Sequence, residues 1–237
     1  MYNLIADMYN EIFPVETDKV NFIKSYCKSM NSRILDVGCA TGELALKLAH
    51  NGYSVVGIDL NSSMINIAKK DAEKQNLSVD FCTDNMMNLS EENEFDCVLC
   101  MGNTLPHILN WNEIDLFIKS IQKLLKKDGI FIFQILNYDK ILREKSICFT
   151  IQENNRYKFI RDYIEIELKK IIFKITLIDK QKNETYIDQT DLLPITKNEI
   201  VHILEENNFS DINCFSDYNK SSSSSDDFYN LYVSRKK

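Results

Sequence analysis

From residue 17 to about 136 the apolar positions switch repeatedly between helical spacing and short continuous runs, with capping or turn residues at each switch. Thr17 or Asp18 can start a helix carrying Val20, Ile23, Cys27 and Met30 on one face. Residues 33 to 37 read as a strand, followed by a Gly-bearing turn and a helix with Leu44, Leu48 and Ala49 that stops at Asn51-Gly52. The cycle repeats with a strand at 53 to 58, a helix capped by Asn61 or Ser62 and carrying Met64, Ile65, Ala68 and Ala72, and a strand at 77 to 82. A fourth strand at 95 to 101 leads to a helix capped by Asn112, with Ile114, Phe117, Ile118, Ile121, Leu124 and Leu125 inward. Lys126-Lys127-Asp128-Gly129 ends it before the apolar strand 130 to 135. Alternation of this kind predicts β-α-β units and a parallel sheet.

Beyond Tyr138 the grammar changes. Runs at 147 to 152, 157 to 167, 171 to 178 and 184 to 193 are β-rich and separated by turn material such as Glu153-Asn154-Asn155-Arg156, which predicts an antiparallel meander. A helix at 197 to 207 and strands at 212 to 215 and 228 to 234 complete the chain, with Ser221 to Ser225 as a flexible connecting loop. The predicted fold is α/β: a Rossmann-like, doubly wound, seven-stranded and mostly parallel sheet with helices on both faces, plus the inserted meander. The predicted division is 1–30 as an N-terminal helical cover, 31–138 as the core, 139–195 as the meander, and 196–237 as the last helix and two strands.

With 237 residues, 44% of them hydrophobic, the chain can bury a sizeable core. A net charge of -7 argues against a nucleic-acid partner, because phosphate binding rests on clustered Lys and Arg. No apolar run approaches the roughly 18 residues of a membrane span, and the first residues lack the order of a signal peptide, so the cytoplasm is the expected location. Seven scattered cysteines suggest reduced thiols. Cys97 and Cys100 form a C-x-x-C inside an apolar strand, where they point to opposite faces and act as small hydrophobes; no metal site is expected.

The chemistry concentrates at Asp36-Val37-Gly38-Cys39-Ala40-Thr41-Gly42, where a strand runs into a turn and a helix. Gly38 and Gly42 permit a sharp turn, and Asp59 ends the next strand 21 residues after Gly38, the distance at which an acid can accept both hydroxyls of a ribose. The alternative is a purely structural turn with Asp59 as a helix cap. A dinucleotide fingerprint would place glycine where Ala40 stands, and no phosphate-cradling G-x-x-x-x-G-K-[ST] occurs. As an ordered set, Asp36-x-Gly38-x-x-Thr41-Gly42, Gly57-Ile58-Asp59, Phe95-Asp96-Cys97-Val98 and Leu125-Lys126-Lys127-Asp128-Gly129 resemble class I methyltransferases over residues 33 to 138.

That resemblance implies S-adenosyl-L-methionine as cofactor and S-adenosyl-L-homocysteine as product. It puts the loop from Gly38 through Cys39 and Ala40 to Gly42 beneath the methionine part, Asp59 on the ribose, and Leu60 and Met64 beside the adenine, with Asp36 and Met101 also among the cofactor-binding residues. Either Asp84 or Asn85 would hold the adenine amino group, with Met86 at the ring nitrogens. Met101-Gly102-Asn103-Thr104-Leu105-Pro106-His107 resembles a segment of glycine and sarcosine N-methyltransferases. There Asn103 would bind the amino-acid end of the cofactor, and His107 would accept a proton or orient the acceptor, unless it is structural. Tyr2, Tyr9 and Phe13 resemble an N-terminal segment folded over the cofactor, or else an amphipathic helix packed on the domain; Tyr138 joins them as a substrate-side or lid residue. The meander is similar to the cover of sugar-amine and glycine-type N-methyltransferases. The implied activity is methyl transfer to a nitrogen or oxygen of a small molecule. A non-catalytic S-adenosylmethionine-binding module and a nicotinamide oxidoreductase are the competing readings.

Overall fold

The computed structural model describes residues 2–27, 29–89 and 93–237, with residues 2–4 described by backbone alone. A 3-10 helix at Tyr2–Met8 runs into α1 (Tyr9–Ile12), and α2 (Thr17–Tyr26) precedes β1 (Arg33–Val37), α3 (Glu43–His50), β2 (Ser54–Asp59), α4 (Ser62–Gln75), β3 (Asp80–Thr83) and β4 (Phe95–Cys100). Then follow α5 (Trp111–Leu124), β5 (Leu125–Leu136), α6 (Tyr138–Glu144), the meander β6 (Gln152–Glu153), β7 (Tyr157–Ile166), β8 (Ile171–Asp179) and β9 (Glu184–Leu192), and finally α7 (Lys197–Glu206), β10 (Phe209–Phe215) and β11 (Tyr229–Lys236).

The large sheet has the order β10-β11-β5-β4-β1-β2-β3, parallel except for β11, which runs antiparallel to both neighbours. Its faces are covered separately. Leu44, Leu48, Ile65, Ala68 and Phe22 from α2, α3 and α4 pack on one side with Cys97, and Ile114, Phe117, Ile121, Ile200 and Leu204 from α5 and α7 pack on the other with Cys100. The two thiols of the C-x-x-C are thus completely buried on opposite faces, as strand periodicity requires. Among the described residues no helix is long and apolar enough to cross a membrane, and no group of three or more candidate metal ligands forms.

Boundaries differ from the sequence reading where a cap or a tertiary contact outweighs periodicity. Glu16 precedes α2 without a side-chain cap, and Met30 lies beyond the helix, largely exposed. Asn110, not Asn112, caps α5 by accepting from the Glu113 N–H at 2.9 Å. The helix ends at Leu124 because Leu125 already pairs with Phe95, and Asp128 takes a left-handed turn inside β5. Asn76, also left-handed, closes α4, and β3 begins only at Asp80. Helix α6 was not anticipated; Asn137 caps it by accepting from Lys140 N–H at 3.2 Å. The serine stretch is not a loose tether: the Asn137 amide donates to the carbonyls of Ser224, Ser225 and Asp227, and Arg143 and Lys140 add further bonds to residues 225 and 226.

The meander forms a second sheet, β6-β7-β8-β9, and its residues Phe159, Arg161 and Ile175 line a cavity together with Gly38 and Met101 at the carboxyl ends of β1 and β4. Ile5, Met8 and Ile12 pack against Tyr157, Phe159, Ile175 and Leu177, while Ala6 meets Ala40 and Met64. The N-terminal segment is therefore wedged between meander and core. Leu193 N–H reaches the Pro106 carbonyl at 2.9 Å, tying the exit of β9 to the loop after β4.

Gly42 has φ +76 and precedes α3; an added Cβ would lie 2.5 Å from the Phe81 ring. At Gly52, φ +90, the tightest approach of an added Cβ would be to the flexible end of Met30 at 3.1 Å. Gly42→Ala is expected to lower the unfolding free energy by about 2 to 4 kcal/mol and Gly52→Ala by about 1 kcal/mol. Urea denaturation checks this, and equal losses at the two positions would contradict it.

Candidate functional site

The turn after β1 contains three left-handed residues, Gly38, Ala40 and Gly42. The Gly38 and Cys39 N–H groups donate to the Ile58 carbonyl at 2.8 and 2.9 Å, so the turn is stitched to the end of β2. Ala40 carries a side chain at φ +50, a sparsely populated conformation that needs support. Asp59 supplies it: Oδ2 accepts from Ala40 N–H at 2.8 Å and Oδ1 from Asn61 N–H at 2.8 Å. Burial pushes the Asp59 carboxyl above its ordinary range while those two bonds pull it down. Gly38 is required by the protein itself, since a Cβ there would approach Thr104 within 2.6 Å.

A cavity of about 490 Å³ opens at this corner, and among its lining residues are Gly38, Ala40, Asp59, Leu60, Met64, Asp84, Asn85, Met86 and Met101. Leu60 is 73% exposed whereas Met64 is buried, so the two differ in how they border the space. Asp84 N–H donates to the Asp59 carbonyl at 3.1 Å, and its side chain accepts from Asn85 N–H at 2.7 Å. Asn85 is occupied as a cap, accepting from Met87 N–H at 3.0 Å.

A second cavity of about 300 Å³ adjoins the first; both are lined by Tyr9, Gly38, Ala40, Met101, Gly102 and His107. Asp36, Cys39, Asn103 and Phe13 line this second space. Two predicted residues line neither cavity: Gly42 shapes the turn, and Tyr138 is fully buried. Tyr138 is therefore not a lid. Its hydroxyl belongs to a cluster in which the Asn103 amide donates to Tyr138 at 3.0 Å and to Tyr163 at 3.4 Å, while Asn103 Oδ1 accepts from Leu136 N–H at 2.9 Å. Asn103 thus joins the β4 loop to β5, α6 and the meander. The side chain of Tyr2 lies outside the described residues.

His107 stands where the cavities meet, and burial lowers its imidazole to about 4, so it is neutral at pH 7. Phe159, Arg161 and Tyr163 also line the second cavity and were missed in the sequence reading. Their i, i+2, i+4 spacing on β7 places them on one face of a strand, and that periodicity is the signal that could have found them. Lys19, also missed, lines the same cavity as the buried Asp36; burial lowers its ammonium while the charge of Asp36 opposes the shift.

Residues 34–129 match the family profile described as methyltransferase domain. A ubiquinone biosynthesis O-methyltransferase of Pelagibacter ubique is 39% identical over 107 residues, 45% of this chain and 43% of that protein. The chain thus spans about half the length, or less, of the curated relatives it matches at this level. A glycine/sarcosine N-methyltransferase of Aphanothece halophytica is 23% identical over 220 residues, covering 91% and 80% of the two chains. Among solved structures, an S-adenosylmethionine-dependent methyltransferase from Clostridium acetobutylicum superposes with a TM-score of 0.85 at 18% identity over 99% of this chain and 98% of that one. The fold is that of the class I methyltransferases, with the meander insert.

Burial pushes Asp36 from 3.8 up to about 7, with Lys19 opposing and Asp59 adding to the rise. Between those two pH values the folded chain holds a proton that the unfolded chain releases, so stability falls as pH rises through that window. Replacing Asp36 by Asn is expected to remove this part of the fall, about 4 kcal/mol at most. Urea unfolding of both proteins from pH 4 to 8 reads it out, and parallel curves would contradict it.

Proposed function

We propose that this chain, whose residues 34–129 form a methyltransferase domain of the class I, S-adenosylmethionine-dependent kind, moves a methyl group to a nitrogen or oxygen of a small-molecule acceptor. The observation that carries the reading is the Asp59 carboxylate, fixed by two backbone N–H groups at the mouth of one cavity that opens into a second. Each carboxylate oxygen accepts one backbone bond and has a further lone pair for a ribose hydroxyl. This donor set fits a nucleoside. Leu60, Met64 and Met86 offer apolar surface for adenine, and Asp84 is the better partner for its amino group because it has a second carboxylate oxygen beside the one bonded to Asn85 N–H, whereas the single side-chain oxygen of Asn85 already caps the next turn. The floor from Asp36 to Ala40 would carry the amino-acid end.

When bound, S-adenosylmethionine supplies a sulfonium methyl already activated for in-line displacement. The protein's share is then positioning and exclusion of water. Tyr9 lines both cavities and Phe13 the second, so the N-terminal segment shields the junction while its other face packs on the meander. The neutral His107 orients the acceptor by accepting a hydrogen bond from its N–H or O–H. A group titrating near 4 is too weak a base to store that proton at pH 7. We assign 1–30 as the cover over the cofactor and 139–195 as the wall of the acceptor site.

Calorimetric titration with S-adenosylmethionine, S-adenosylhomocysteine and NAD is expected to give micromolar binding of the two sulfur nucleosides and none of NAD. Asp59→Ala is expected to weaken both at least about 10-fold, since each charge-assisted bond is worth roughly 1.5 to 3 kcal/mol. Preference for NAD, or unchanged affinity in the variant, would overturn the assignment.

A further inference from the structure

We infer that the face of the meander turned away from the cavities is a docking surface for a second copy of this chain, whatever reaction the cavities support. The inner face of β7 and β8 lines the second cavity with Phe159, Arg161, Tyr163, Phe173 and Ile175. Strand alternation turns the residues between them outward. On an antiparallel sheet whose outer face meets only water, such positions are polar. Here the register sets Ile160, Thr176 and Ile187 side by side in one outward row, with Ile172 and Ile178 elsewhere on the outward side of β8.

Ile151, one residue before β6, continues that row beside Ile160, because Gln152 pairs with Phe159. Ile151 is 51% exposed and Ile187 60%, and Ile164, the extra residue of the β7 bulge, is 48% exposed. Among the described residues, none of these isoleucines packs on a buried cluster of the molecule. An apolar patch of this kind, rimmed by charge, marks an association surface.

The arrangement of the charges selects a second copy over other occupants. Asp162 on β7 stands directly opposite Lys174 on β8 in the next outward row. Among the described residues neither has an ion-pair partner, whereas toward the ends of the same face Lys158 pairs with Glu153 at 3.7 Å and Asp191 with Lys170 at 3.9 Å. A two-fold axis running along the strands between β7 and β8 sets Asp162 against the partner's Lys174 and Lys174 against the partner's Asp162. One contact is thereby made twice, as an isologous interface requires. The same axis lays Ile151 over the partner's Ile187 and Ile160 over the partner's Thr176, so the apolar row is complementary to itself. The strands of the two sheets then run nearly aligned, as in stacked sheets generally. A polyanion or an anionic lipid surface would call for a single sign of charge, and this face interleaves both.

Sedimentation velocity of the full chain over a series of concentrations tests this, with circular dichroism to establish that each variant is folded. The chain is expected to sediment as a dimer at micromolar concentration. Asp162→Lys and Lys174→Asp, each alone, set like charges against each other and are expected to weaken the dimer at least about 100-fold. Mixing the two single variants makes both contacts opposite in charge again and is expected to restore the dimer. Ile187→Ser is expected to weaken it about 10-fold, whereas Leu116→Ser, at a position on α5 that is 55% exposed, is expected to leave it unchanged. A monomer at every concentration, a dimer insensitive to the single charge reversals, or a mixture of the two variants that stays monomeric would overturn the inference.

Discussion

The Asp59 carboxylate is the constraint on which the carboxyl edge of the sheet depends. Ala40 sits in a backbone conformation that a side chain disfavours, and the bond from its N–H to Asp59 holds it there. The other oxygen of the same carboxylate fixes the entry to α4 through Asn61, whose own side chain accepts from Ser63 and Met64 N–H groups. The loops after β1 and β2 are thus locked to each other. A site fixed by its own hydrogen bonds loses less of its contact energy to ordering.

Two further ties extend this rigidity to the second cavity. Asn103 links the loop after β4 to the end of β5 and, through Tyr138 and Tyr163, to the meander. The N-terminal segment packs against the meander on one side and against Ala40 and Met64 on the other. The larger cavity, the junction and the second cavity are consequently built from elements that touch one another. A displaced meander would be felt at Ala40, and through it at Asp59.

Legibility in the sequence followed the range of the interactions involved. Strand-turn-helix units were readable because local periodicity and the Gly38, Gly42 and Asp59 spacing all lie within short stretches. The cap of α5 was misplaced by two residues, since Asn110 and Asn112 are equal candidates until the chain is folded. The pinned serine loop was invisible because its anchors, Asn137, Lys140 and Arg143, lie more than 80 residues away along the chain. The same holds for Asn103, which was assigned a ligand but whose amide is bonded to distant tyrosines, and for Tyr138, whose burial no local pattern announces. Arg161 belongs to a different class: its strand-face alternation was present in the sequence, but only the docking of Phe13 and Phe149 against it gives the residue a setting.

A crystal structure of the chain with S-adenosylhomocysteine tests the central claim most directly. The account predicts the nucleoside in the larger cavity, with its ribose hydroxyls on Asp59 and its sulfur facing the junction at His107. A ligand bound elsewhere, or seated with Asp59 more than hydrogen-bonding distance from the ribose, would contradict it.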